Sequence, residues 1–230
     1  MIGVIVNTIT VLVGSTVGLI FKKGIPEKFT KAIMLGIGLC TIYIGIEGAL
    51  KGENTLILIG SLVLGAIIGT YFDIDGKLNS LGTSIGNRFK SSKNSSARIA
   101  EGFVTGSLLF CVGSMTIVGS LNSGLTGDNT MIFTKSMLDL FSSAILSVSL
   151  GIGVIFSAIF VFVFQGSLVL LAKLIAPVLT ASAIAEMTCA GSVLIIALGL
   201  NLIGLMKIKV ADYLPAIIIA PVLCYVISLF

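Results

Sequence analysis

The sequence is built from apolar segments of about 20 residues, separated by short charged or glycine-containing connections. A helix needs roughly 20 apolar residues to cross about 30 Å of hydrocarbon, so the pattern predicts membrane-spanning helices. We expect about eight spans, at 2–21, 32–50, 55–72, 100–121, 131–150, 152–175, 184–206 and 213–230. Seven spans result if 131–175, which contains no charged loop, is one broken helix.

Composition supports an all-α polytopic bundle that forms a single membrane domain over residues 1–230. The chain is 56% hydrophobic and 10% charged, and its mean hydropathy is +1.16. These values are typical of a protein whose main partner is the lipid bilayer. The net charge of +4 comes from short loops between apolar segments, so a nucleic-acid partner is not expected.

Enzymatic chemistry is not expected from the available side chains. The chain has no histidine, which excludes imidazole bases and histidine-ligated metals. Its four cysteines are widely spaced within apolar segments and form no CxxC motif. We therefore predict no catalytic residue, metal or cofactor.

The distribution of lysine and arginine predicts the orientation. With eight spans and an external N-terminus, the loops after the odd-numbered spans face the cytoplasm. These loops carry most of the basic residues, whereas the opposite loops carry chiefly Lys51 and Lys173. Merging 131–175 into one span would place Lys207 and Lys209 outside, so the charges favour eight spans and two external termini.

The extended polar segment at 73–98 has two interpretations. Leu78, Leu81, Ile85 and Phe89 recur at helical spacing, which is typical of a helix on the membrane surface. A solvated loop is the alternative.

Internal similarity predicts repeated hairpins. A shift of 75 residues aligns ALKGENT at 49–55 with GLTGDNT at 124–130, which suggests that spans 2–3 and 4–5 are copies. A weaker match between 197–214 and 34–56 suggests an inverted repeat, the architecture of many secondary transporters. Similar composition of glycine- and leucine-rich helices is the alternative. The GxxxG pairs predict close helix packing, and the sequence leaves a homo-oligomer open.

The stretch from Glu101 to Asp139 is the richest in polar groups. Lys135 and Asp139 are four residues apart, so they share a helix face and can touch. Charge inside a membrane segment costs roughly 2.5–3.5 kcal/mol per residue, so it is rare without a function. A structural pair at the helix end, with Lys135 reaching water, is the alternative.

Other polar residues within apolar segments are candidates for binding a substrate or ion. Besides Lys135 and Asp139, the set comprises Asn7, Ser114, Thr116, Asn122, Glu186 and Asn201. Asn7 can instead bond another helix, and Glu186 can face Lys173 or lie at the interface. The Cys111–Thr116 run also has the character of a helix interruption. Its hydroxyls would line a wet cavity or bond back to their own helix.

Three stretches resemble one bacterial membrane family, catalogued as domain of unknown function 554. They are LLFCVGSMTIVGSLNSGLTGDN, the following KSMLD, and EMTCAGSVLIIALGLNLIGLMKIKVADYLPA. Asn7, Gly14 and Gly18 resemble the N-terminal pattern of that family. The family pattern commonly has proline at the position of Ser114 and glycine at that of Leu140. The resemblance implies a multi-pass protein of the bacterial plasma membrane and supplies no substrate.

The sequence therefore predicts a small secondary transporter of an ion or polar metabolite. Alternating access between repeats would couple the solute to protons or sodium. A passive channel and a non-transporting scaffold or signalling partner are the alternatives.

Overall fold

The computed structural model describes residues 1–22, 27–80, 93–177 and 179–227. Every regular element in these ranges is helical. The helices are α1 (Ile2–Lys22), α2 (Glu27–Ala49), α3 (Thr55–Tyr71), α4 (Ile74–Ser80), α5 (Lys93–Cys111), α6 (Ser114–Leu125), α7 (Thr130–Leu150), α8 (Gly153–Leu170), α9 (Ala172–Ile175), α10 (Ala181–Leu202) and α11 (Ala216–Ile227), with a 3₁₀ turn at Val210–Tyr213 before α11.

The described helices confirm a polytopic membrane protein. Five are long and apolar enough to cross a bilayer, and the number rises to seven if each of two bent helix pairs forms one span. The bent pairs are α3 with α4, at 51°, and α5 with α6, at 60°. Helix α2 has 23 residues and corresponds to the remaining predicted span, although its described apolar stretch is only Leu35–Ala49.

The segment 131–175 forms two long helices rather than one. Helix α7 ends at Leu150 and α8 begins at Gly153. Gly151 between them has φ of 78°, a left-handed conformation that glycine adopts readily. A tight glycine turn therefore separates the two spans, as one of the two interpretations expected. The predicted 152–175 span itself is divided, because α9 follows α8 after Leu171.

The GxxxG pairs lie at helix contacts, which confirms their predicted packing role. A Cβ added at Gly14 or Gly18 of α1 would clash with backbone oxygens of Leu140 and Ala144 in α7. Two further GxxxG pairs do the same: Gly102 and Gly106 pack α5 against α8, and Gly65 and Gly69 pack α3 against the segment that begins α11. Close backbone approach is how small residues stabilise helix pairs in lipid.

Contacts place the start of α1 and the end of α11 on the same side of the bundle. The Gly3 amide donates to Asn129 Oδ1 at 3.2 Å, which joins the N-terminus to the α6–α7 loop. Near the other end, Cys224 Sγ lies 3.7 Å from Ser182 Oγ at the start of α10. Gly124, at the end of α6, packs against α8 and α9, which lead to α10. The number of crossings and the side that faces the cytoplasm stay predictions.

The polar segment is only partly described. Within α4, Leu78 packs against the largest hydrophobic core cluster, so this part is not a solvated loop. Leu81, Ile85 and Phe89, which completed the predicted surface-helix pattern, lie outside the described residues. The two sequence repeats stay predictions.

Candidate functional site

A buried ion pair lies in the middle of α7. Lys135 Nζ donates to Asp139 Oδ2 at 2.5 Å, which confirms that the two side chains touch. Lys135 is 7% exposed and Asp139 5% exposed, so the lysine does not reach the surface. Asp139 is the tenth of 21 residues in α7. It therefore lies about 14 Å along the helix, near the centre of a hydrocarbon layer of about 30 Å.

Neutral amides from two other helices extend this pair into a polar cluster. Asn7 of α1 is fully buried, and its Nδ2 donates to Gln165 Oε1 of α8 at 3.1 Å. The Asn7 side chain also lies near Asp139. Gln165 Nε2 is buried without a hydrogen-bond partner in the described part of the chain. One polar cluster thus joins α1, α7 and α8, and it retains unused donor capacity.

The carboxylate of this cluster lines a cavity of about 400 Å³ between α2, α5 and α7. The polar lining comes from Asp139, Ser142 and Thr41. The Thr41 hydroxyl already donates a hydrogen bond to the Ile37 carbonyl at 2.8 Å. The remaining walls are largely aliphatic or aromatic, including Phe110. The arrangement can hold a small ligand against a buried carboxylate.

A helix break lies beside the cavity, as the Cys111–Thr116 run predicted. Helix α5 ends at Cys111, α6 begins at Ser114, and Gly113 between them has φ of 155°, which residues with side chains rarely adopt. Thr116 Oγ1 donates across the break to the Phe110 carbonyl at 3.1 Å. The break thus forms without a proline at Ser114. Thr116 therefore bonds back within its own predicted span, 100–121. The Ser114 side chain lies outside the described residues.

Glu186 occupies a different site and has backbone partners. Its Oε1 accepts the amides of Glu53 and Asn54, both at 2.7 Å, in the loop before α3. The residue is 1% exposed, and the contacts described for it are with this loop rather than with Lys173. Oε2 is buried without a partner in the described ranges. Glu186 therefore fastens the α2–α3 loop to the start of α10.

Two further candidates lie away from the Asp139 cavity. Asn201 forms a clamp on Ile208, because its Nδ2 donates to the Ile208 carbonyl and its Oδ1 accepts the Ile208 amide, both at 2.8 Å. It also lines a second cavity, of about 520 Å³, together with Lys207, Lys209 and residues of α4 and α5. The backbone carbonyl of Asn122 accepts the Thr126 hydroxyl at the end of α6. The predicted set is thus divided among several places.

Sequence reasoning missed the groups that complete the cavity. Phe110 and Thr41 join Asp139 only because α2, α5 and α7 meet there, whereas Ser142 lies about one turn from Asp139 on α7 itself. Gln165 also belongs to the polar cluster, because it bonds Asn7 of another helix. The signal available for it was a lone amide in the centre of an apolar segment.

Comparison with known proteins identifies the family. The family described as "Protein of unknown function (DUF554)" matches residues 2–225. The chain belongs to this family. It is 33% identical over 234 residues to "Uncharacterized membrane protein YdfK" of Bacillus subtilis (strain 168), covering 100% of this chain and 98% of that protein.

A second relative of this DUF554 member comes from another bacterium. The chain is 31% identical over 221 residues to "Uncharacterized protein YqgA" of Escherichia coli (strain K12), covering 95% of this chain and 94% of that one. No solved structure matches. The predicted family membership is thereby confirmed, and the name of the Bacillus relative agrees with a membrane protein.

Proposed function

We propose that this protein is a secondary transporter of a small ion, with its binding site at the Asp139 cavity. The observation that carries the proposal is a buried carboxylate at mid-membrane depth that lines a cavity of about 400 Å³. Asp139 would bind the solute or the coupling ion. Lys135 and Asn7 would stabilise the carboxylate when the site is empty.

The cost of the charges supports a functional role. Each charged residue at the centre of a membrane helix costs roughly 2.5–3.5 kcal/mol, and such residues commonly mark solute or ion pathways. Structural contacts are available without the charges, because the amides of Asn7 and Gln165 join α1 to α8, and the glycines of α1 pack against α7. The ion pair adds charge beside a cavity, where a mobile ligand can use it.

The helix break supports the same location. Secondary transporters commonly place their sites near the bilayer midplane, where discontinuous helices free backbone groups for a ligand. Here α5 ends at Cys111, one residue after cavity-lining Phe110. In our proposal, movement around this break alternates access to Asp139. Protons or sodium ions are the coupling ions, because a carboxylate can take a proton or supply oxygen to sodium.

The test uses purified protein in liposomes of bacterial phospholipid. A panel of small inorganic and organic ions and polar metabolites is applied under an imposed proton or sodium gradient, and uptake is followed with a matching fluorescent or radioactive reporter. We expect at least one solute to accumulate only with a gradient. Asp139→Asn should abolish accumulation, whereas Lys173→Gln, on exposed α9, should leave it unchanged.

Two results would contradict the proposal. One is uptake that the Lys135→Gln/Asp139→Asn double variant retains at the wild-type rate. The other is gradient-independent equilibration of a solute through the wild-type protein, which indicates a passive channel. If no solute in the panel moves with any gradient, the protein is better described as a non-transporting membrane scaffold.

A further inference from the structure

The Asp139 cavity is electrostatically one-sided. Among its described lining residues, Asp139 is the sole charged group, and Lys135 is not part of the lining. The lysine instead lies with its Nζ 6.0 Å from the centroid of the Phe110 ring. A ligand in the cavity therefore meets a carboxylate and an aromatic ring in largely aliphatic surroundings. A cation can pair with this carboxylate, while Lys135, once displaced, keeps the Phe110 ring as a neighbour that attracts its ammonium group.

The cavity also opens toward the outer surface of the bundle. Several lining residues are exposed, among them Ile44 at 47% and Ile145 at 54%, with Cys40 and Ser142 beside them. These residues belong to the central parts of α2 and α7 rather than to loops. In a bilayer this opening faces acyl chains, so a ligand with an apolar body can enter from the membrane.

We propose that the cavity binds an organic monocation: an ammonium group attached to an apolar body. The ammonium pairs with Asp139 in place of Lys135, and the apolar body lies along Ile37, Ile145 and Leu146. Lys135 thus acts as a tethered cation that occupies the carboxylate until the ligand replaces it. This assignment rests on the proposed function and specifies the solute as an organic cation.

The first experiment measures ligand binding to the full-length protein in detergent by calorimetry. The probes are 2-phenylethylammonium, 2-phenylethanol and 3-phenylpropionate, which share a phenyl body and differ in charge. We expect the cation to bind about tenfold or more tightly than the alcohol, as loss of one charged hydrogen bond implies, and the anion to bind weakest. Equal binding of all three probes would overturn the assignment.

Three variants separate the parts of the site. Asp139→Asn should weaken cation binding about tenfold or more. Lys135→Gln should strengthen it several-fold, because it removes the competing internal cation. Gly36→Phe should block binding with both charges intact, since a Cβ at Gly36 meets no atom within 4 Å and the ring would extend into the cavity.

Chemical labelling of Cys40 measures ligand binding in a second way, which can also be applied to variants of low stability. Cys40 lines the cavity and is exposed, so N-ethylmaleimide should label it, and mass spectrometry of its peptide measures the rate. We expect 2-phenylethylammonium to slow labelling and 2-phenylethanol not to. Unchanged labelling with the cation at saturating concentration would contradict the proposal.

The outcomes distinguish this assignment from the proposed function. If Asp139-dependent, gradient-driven uptake is found for an anion or a neutral solute and the cation does not bind, the assignment fails and the transporter proposal stands. If the cation binds at Asp139 but no solute moves with a gradient, the transporter proposal fails and the cavity is a binding site only.

Discussion

Asp139 and Glu186 are both acids buried in membrane helices, yet the structure gives them different partners. Asp139 pairs with a side chain on its own helix and lines a cavity. Glu186 accepts two backbone amides from the α2–α3 loop. One contact lies within a helix, whereas the other joins two distant parts of the chain.

This difference determines what each acid can do. A side-chain pair can be replaced as a unit by apolar residues, so its presence inside a membrane protein calls for another reason. Backbone amides are present whatever the side chain, except at proline, so Glu186 is explained by the loop that it holds. A buried charge therefore indicates function when its partner is dispensable and a cavity adjoins it.

The largest effect is expected from Glu186→Ala. Each charge-assisted hydrogen bond is worth roughly 1.5–3 kcal/mol, and the variant loses two, so the free energy of unfolding should fall by about 4 kcal/mol. Chemical denaturation in detergent measures it. Glu47→Ala, at an exposed position of α2, is the control. Stability within about 1 kcal/mol of wild type would mean that Glu186 has no structural role.

The next largest effect tests whether the Lys135–Asp139 pair can be replaced as a whole without loss of stability. Asp139→Leu leaves Lys135 buried without its partner and should lower the free energy of unfolding by about 3 kcal/mol. Lys135→Met/Asp139→Leu should lie within about 1 kcal/mol of wild type, because apolar replacement of a whole buried pair is often neutral. The same denaturation assay decides. Equal loss in the single and double variants would show that the pair itself stabilises the fold.

Intermediate effects are expected at two glycines that differ in packing: Gly14, which contacts α7 closely, and Gly36, which lines the cavity. Gly14→Leu should destabilise by about 2 kcal/mol, since its side chain would overlap the Leu140 carbonyl of α7. Gly36→Ala should be neutral or stabilising by about 0.5–1 kcal/mol, because the cavity has room and alanine favours the helix. Melting temperatures of the two variants compare them. Similar destabilisation by both would indicate that the cavity is absent in the folded protein.

The smallest effect is expected at Asp128, an exposed acid that, like the buried Glu186, accepts a backbone amide. Asp128, exposed in the α6–α7 loop, accepts the Thr130 amide at 2.9 Å, and this bond lowers the pKa of Asp128 below its ordinary value of 3.8. Its stabilisation is therefore present above that value and is lost as pH falls through the lowered pKa. Hydrogen exchange of 127–130 across this range should show mild loosening at acid pH. Asp128→Asn, which should remove the pH dependence, is the control; a wild-type dependence in that variant would assign it to another group.

Local sequence pattern predicted the features that depend on neighbours along one helix. The Lys135–Asp139 contact follows from helical spacing alone, and the break after Cys111 follows from a glycine among small polar residues. The GxxxG pairs indicated close packing before any partner was known. These outcomes need no knowledge of which helices are adjacent.

The roles of Glu186 and Asn201 could not be predicted from local sequence pattern. Each appeared from sequence as an isolated polar group in an apolar segment, and each binds the backbone of a loop. Loops carry amides at every non-proline position, so sequence alone does not reveal which amides a side chain will meet.

By itself, the sequence determined the class of protein and the local contacts. About 20 apolar residues per segment require membrane helices, and i,i+4 spacing brings Lys135 to Asp139. Only the tertiary structure decided that Asp139, rather than Glu186, lines the cavity between α2, α5 and α7. That outcome depends on how α2, α5 and α7 pack, and the packing is set by contacts between residues far apart in the chain.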